Sequence, residues 1–496
     1  MTIAAIALGL AALSGQPSPT AAAPDLRPAM IQQESRASIR QKLGAAIDQE
    51  RFEEALLLSK ALLAHPDTAR VPAEERRAII WLQALLHLQL DRPAAALPLL
   101  QEVTASPEAT LQQWSTRLEA HNKATDLSGA AVVFTEILQR FPSAANEYYD
   151  VFVLQLVMNP ELEGDIGFNA REALYRSGWT NDDDSWLWLK LVDDYIDRGR
   201  LDDARQLVSR IRAPGPRLQL FALRRYDEVR SADARLNLDA AWAAELALAR
   251  KDADKTGASI KDRARVPALL YDLGRPEEAL AAADAILAGP EPEAGSVDAE
   301  DYTWVLNGRS RILMALGRGE EAVAQQEAAA ARQEYGSQNV SQTINLGWTY
   351  LRLGRTEEAT AALAGLEEDR LSAYGKMQAR QVRACAARER GDAAAAEVIE
   401  AVMGENWRDA PIAAYEVAAC RGDEDEMARV LVGMLADPET VGEGVSLMHG
   451  YLDAGRTDYD RRMLTIHHRV IARPEVVAAR DAVGRAFVVP TMGPQF

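Results

Sequence analysis

Cysteine is nearly absent: Cys385 and Cys420 are the only two in 496 residues. Neither belongs to a CxxC pair or stands at a metal-ligand spacing, so a disulfide framework and a zinc module are both excluded. The spacing leaves two readings open, a pair of small buried thiols, which is the plainer expectation, and a single bridge. Aromatic residues make up only 6% and alanine is abundant, a balance that suits closely packed helices rather than sheets. Positive charge is in deficit, with 55 Lys and Arg against 74 Asp and Glu and a net charge of −19. That balance repels phosphate backbones and anionic lipid surfaces, so nucleic acid is not an expected partner. No apolar run reaches the roughly 20 residues that span a bilayer, so no integral membrane segment is expected in the mature chain. There is also no G-x-S-x-G elbow, Walker loop, dinucleotide fingerprint or H-E-x-x-H.

The first charged residue is Asp25, and before it runs the apolar stretch Ile3–Leu13, IAAIALGLAAL. Its length is that of a secretory h-region, and the small residues Ala12 and Ser14 follow at cleavage-site spacing. The basic n-region is missing, and only the α-amino group is positive there. Residues 1–23 are read as a signal peptide and 24–40 as a Pro- and Ala-containing linker. The expected location is periplasmic or secreted; the alternative is cytoplasmic, with residues 1–23 an unprocessed tail.

Apolar residues make up 48% of the chain, which supplies a large core, yet its length exceeds what one compact core sustains. Repetition resolves this. One pattern recurs: a helix end, Gly-Arg, an acidic pair, then Ala. It reads YDLGRPEEAL at 271–280, MALGRGEEAV at 314–323, LRLGRTEEAT at 351–360 and IDRGRLDDAR at 196–205. Weaker copies begin at 47, 88, 123, 387 and 418. Glycine ends a first helix in the left-handed conformation it reaches cheaply, and the acidic pair sits in the first turn of a second helix, where the dipole favours it. The small alanine five residues after the glycine lets the two helices approach. Longer gaps before Gly199 and Gly274 predict one degenerate pair in each.

These units resemble the tetratricopeptide repeat family. Gly347, Tyr350, Gly354, Ala359 and Leu363 match its small, Tyr, Gly, Ala and large apolar positions, as do Trp188, Leu191, Tyr195, Gly199, Ala204 and Val208. The resemblance implies an all-α fold, an α–α superhelix of some ten to twelve helical pairs. Repeats are expected over 41–213 and 214–480, parted by Ala213-Pro214-Gly215-Pro216, with an extended tail over 481–496. It further implies a non-catalytic scaffold for a protein or peptide, with no cofactor. The alternatives are a structural subunit of an envelope complex and a helical-repeat enzyme.

In such an array the first helices line the ligand face. The register then places Trp304, Asn307 and Arg311 on that face in one repeat, Asn345, Trp348 and Arg352 in the next, and Gln381 and Arg388 in the one after. Trp and Arg are frequent binding hot spots, and Asn pairs with peptide backbone. Asn345 matches one position of the family's carboxylate clamp, but Asn307, Arg311, Gln378 and Val382 depart from it, so that specificity is not expected. No metal site is expected. His467 and His468 point about 100° apart on a helix and cannot share an ion; they, His121 and His449 read as solvated helix positions.

Overall fold

The structure is a computed structural model that describes residues 34–148, 150–159, 161–162, 164–180, 185–231, 236–334, 336–452 and 457–493. The expected signal peptide, and the linker as far as residue 33, lie outside the described residues. Helix begins inside the remainder of that linker, at Arg36, where the Ser35 side chain caps it. The chain divides into two compact units, Met1–Asp182 and Asp183–Phe496.

The first unit is a series of antiparallel pairs: α1 (Arg36–Asp48) with α2 (Phe52–Ala64), α3 (Ala73–Gln89) with α4 (Pro93–Thr104), α5 (Leu111–Lys123) with α6 (Leu127–Arg140), then α7 (Asp150–Val157) and α8 (Gly164–Arg176). The second unit opens with α9 (Ser185–Asp197), α10 (Leu201–Leu207), α11 (Pro214–Ala222) and α12 (Leu238–Ala253). Its regular part pairs α13 (Ile260–Asp272) with α14 (Pro276–Leu287) and α15 (Val297–Ala315) with α16 (Gly319–Ala330). It continues through α17 (Val340–Arg352) with α18 (Thr356–Ala362), α19 (Ala373–Glu389) with α20 (Ala393–Glu405), and α21 (Pro411–Arg421) with α22 (Glu424–Ala436). The chain ends in α23 (Val441–Leu447), α24 (Asp458–Ile471) and α25 (Pro474–Val483). The expectation of an all-α array of helical pairs holds in each unit, and α7–α8 and α11–α12 occupy the places where the spacing predicts degenerate pairs.

The recurring turn is built as its residues dictate. At Gly354 the backbone is left-handed, φ 74°, and the next N–H, on Arg355, returns to the Tyr350 carbonyl at 2.9 Å. This closes α17 with a Schellman-type bond. Five residues after the glycine, Ala359 is fully buried against the first helix. The same turn recurs at Gly199, Gly274, Gly317, Gly391 and Gly422, with a buried alanine five residues on in all but the last, where Met427 takes that place. In the first unit the left-handed residue is not glycine but Glu50, Asp91 or Thr125, and the buried alanines are Ala55, Ala96 and Ala130. Those turns therefore keep the fold while bearing the left-handed strain that glycine avoids.

The Ala213–Pro216 break opens a helix rather than a boundary: Pro214 is the first residue of α11, well inside the second unit. The chain end, expected as an extended tail, is extended but paired over part of its length. Strand β4 (Val488–Met492) pairs in parallel with β3 (Gly450–Leu452), and Gly484 bridges Leu223. Arg485 donates to the Phe221 carbonyl at 2.9 Å and pairs with Asp227, so the last residues of the second unit are fastened to its first helices. Two short strands, β1 (Gln333–Glu334) and β2 (Ser337–Gln338), form a small antiparallel turn between α16 and α17. The two cysteines, whose pairing the spacing leaves open, are joined. The Cys385–Cys420 bridge spans α19 and α21 with Cα atoms 5.4 Å apart.

Candidate functional site

Helix α13 starts from a reciprocal cap between Ser259 and Asp262 and carries Ala264, Pro267, Ala268 and Tyr271 along one stripe. Helix α15, capped by Ser296, carries Trp304, Gly308 and Arg311 at i, i+4 and i+7, again one face. Where the stripes meet, two alanines and a glycine stand opposite each other, and these small side chains leave a cavity of about 220 Å³. Trp304 stands at its rim, 50% exposed. The Arg311 guanidinium lies over the Tyr271 ring, 5.2 Å from its centroid, and makes no ion pair among the described residues. Beside it, burial pushes the Asp272 carboxyl up to about 6, with Arg311 pulling the other way. The site thus offers an aromatic wall, a cation and a carboxyl that changes charge in mildly acidic solution.

Most of the other residues expected on this face are buried or paired within the array. Asn307 falls in the buried stripe of Thr303, Ser310 and Met314, one helical step away from Trp304 and Arg311. Asn345 donates to the Gln342 side-chain oxygen Oε1 at 3.1 Å, extending a chain from Gln326, and it and Trp348 are half-buried. Arg352 makes a two-point ion pair with Asp460 of α24, at 2.7 and 2.9 Å. Gln381 is wholly buried and donates to the Glu416 carboxyl. Arg388 pairs with Glu400 at 2.7 Å, and Arg421 reaches the same carboxylate at 3.1 Å. Burial pushes Glu400 up, but the hydrogen bonds from Arg388 and Arg421 outweigh it and leave the carboxyl below its usual range. The expectation of an open face running from Trp304 to Arg388 is therefore corrected: of its eight residues, Trp304 and Arg311 line an open cavity, Asn307 is buried, and Arg352, Gln381 and Arg388 are held in pairs within the array.

The partner of Arg352, Asp460, belongs to α24. This helix lies across the C-terminal ends of the first helices, with Tyr459 against Cys420 at 2.9 Å, His467 against the Tyr415 hydroxyl at 2.8 Å, and Arg462 on Glu389. His467 is therefore buried rather than solvated, and so is His449. Beneath α24, burial pushes the Glu416 carboxyl up to about 7, against the hydrogen bond from Gln381 and the field of Arg352. Sequence reasoning missed Tyr271 and Asp272, although both stand in one of the clear copies of the turn pattern, YDLGRPEEAL. It also missed Glu416 and Asp460, for which no local signal exists. Among the described residues no group of three or more His, Cys, Asp or Glu is placed to hold a metal ion.

No protein-family model and no curated protein matches the chain. Among solved structures it is similar to a tetratricopeptide repeat protein from Parabacteroides merdae, at 12% identity over 70% of this chain and 98% of that one, with a TM-score of 0.27. It is similar to a Rap protein solved with competence and sporulation factor, at 13% identity over 80% and 99%, TM-score 0.30. A third similar structure is the Cut9–Hcn1 hetero-tetramer of APC/C, at 12% identity over 92% and 98%, TM-score 0.29. The tetratricopeptide-like character of this chain rests on its own turns and alanines.

Proposed function

We propose that the protein is a non-catalytic scaffold that holds a protein or peptide partner at the Trp304–Arg311 cavity, and that it works in the periplasm. The carrying observation is the contrast between Arg311 and its counterparts in the next two repeats. Arg352 and Arg388 are spent on Asp460 and Glu400, whereas Arg311 stands exposed beside a half-exposed tryptophan and an unfilled cavity. A large aromatic next to an unpaired arginine is the usual make-up of a binding hot spot. An apolar side chain of the partner would enter between Ala264, Ala268 and Gly308, and an acceptor or acidic group would meet Arg311. The periplasmic part is supported by the apolar run at Ile3–Leu13 and by the bridging of the only two cysteines, since such bonds persist in oxidising compartments.

The test is a photo-crosslinking amino acid placed at position 304 in the living cell. The proposal expects one dominant partner, and hydrogen exchange of the purified complex should show new protection over Ala264–Asp272 and Trp304–Arg311. Protection confined to other helices would move the binding site elsewhere on the array.

A further inference from the structure

Where the end of the second unit is fastened to its beginning, the seam is not filled. A cavity of about 320 Å³ lies between α11, α12, α23 and the β3–β4 pair. Its walls are mainly apolar, with Leu218, Ala222, Val445 and Val489 among them, and Trp186, 52% exposed, stands at the edge. Protein interiors pack densely, so a space of this size in a seam held by the Arg485–Asp227 clasp is a feature to explain. It lies in the range of small-molecule sites, which combine apolar walls with a few placed polar groups.

The polar groups define the ligand. His449 is buried, and its Nδ1 accepts the Phe487 N–H at 3.2 Å. That bond fixes the proton of the neutral ring on Nε2, and Nε2 has no acceptor among the described residues. Burial holds the ring neutral, pushing it down to about 4. In the same wall the Trp242 indole N–H is buried without an acceptor. The buried Trp242 donor without an acceptor calls for an oxygen, and the His449 Nε2–H, which is not sealed from the cavity, makes no hydrogen bond among the described residues and can donate to the same oxygen. Glu443 stands exposed at the cavity and disfavours an anion there.

We propose that this cavity binds a small uncharged molecule with an apolar body and a carbonyl oxygen, an ester, amide or ketone, whose oxygen accepts from His449 Nε2–H. The site is separate from the Trp304 cavity and does not depend on the function proposed above.

The test uses the full chain and prodan, a neutral naphthyl ketone whose emission shifts to the blue in dry surroundings. Saturable one-to-one binding with a blue shift is expected, unchanged in Trp304→Ala. Ile412→Trp, which fills the space from its rim, should abolish it. His449→Phe should weaken it at least tenfold, and His449→Gln, which restores an N–H donor, should recover part of the loss. Decanamide should displace the dye, and decanoate, the same chain bearing a charge, should do so at least tenfold less well. Absence of saturable binding by the unaltered protein, loss of binding in Trp304→Ala, or equal displacement by decanoate would each overturn the proposal. So would undiminished binding in a folded His449→Phe protein.

Discussion

Asp460 receives both the Nε and the terminal nitrogen of Arg352 across 108 residues of sequence, and it also accepts the Thr457 N–H that caps its own helix. One fully buried carboxylate thus starts α24 and fixes it to α17. Removing one partner of such a pair strands the other charge, a loss of about 3–5 kcal/mol, whereas replacing both by apolar residues is often neutral. Asp460→Asn should therefore lower the urea midpoint sharply and raise hydrogen exchange first over residues 458–471. The double change Arg352→Met with Asp460→Leu should recover most of that stability. Equal losses in the single and double variants would show that the ion pair does not hold the helix.

A second expectation follows from the turns. Glu50 and Asp91 carry φ of 56° and 53° at positions where the second unit has glycine. A left-handed L-residue costs about 1–2 kcal/mol, though glycine returns part of the gain through a freer unfolded chain. Glu50→Gly and Asp91→Gly should each stabilise the protein by roughly 0.5–1 kcal/mol in a denaturant titration. A lower midpoint in both would mean that those side chains contribute more than the strain removes.

How much of this was legible follows the distance over which each signal acts. The Gly354 turn and Ala359 are written within ten residues, so the hairpins, their order and the degenerate pairs could be read directly. Trp304 and Arg311 were placed on one face by the register of the repeat resemblance together with helical spacing. What failed depends on partners far away in the chain. Nothing near Arg352 announces Asp460, nothing near Gln381 announces Glu416, and β4 acquires its pairing only when the chain end meets β3. The cysteine pairing stayed open for the same reason, since a spacing of 35 fits a buried thiol in each of two repeats as well as a bridge between them.

A pH effect should accompany Glu416. Its folded pKa, about 7, lies above its ordinary value of 4.5, so the folded state keeps a proton that the unfolded state has released. The group therefore costs no stability below about pH 4.5, an increasing amount as pH rises to about 7, and a constant amount above. Glu416→Gln should be more stable than the unaltered protein at pH 8, with the difference shrinking toward pH 4.5. A difference independent of pH would assign its effect to packing alone.

Export and the bridge are checked together by mass spectrometry of the native protein. The account expects a new N-terminus within residues 15–25 and no free thiol before reduction. Intact Met1 in a cytosolic fraction, with both cysteines reactive to alkylation, would contradict both.

The most direct test is the affinity of the partner captured at position 304 for the double variant Trp304→Ala, Arg311→Glu. Isothermal titration should show binding weakened by at least a hundredfold, on the order of 3 kcal/mol, with unchanged helicity and melting temperature. Undiminished affinity in that folded variant would contradict the assignment of the binding site.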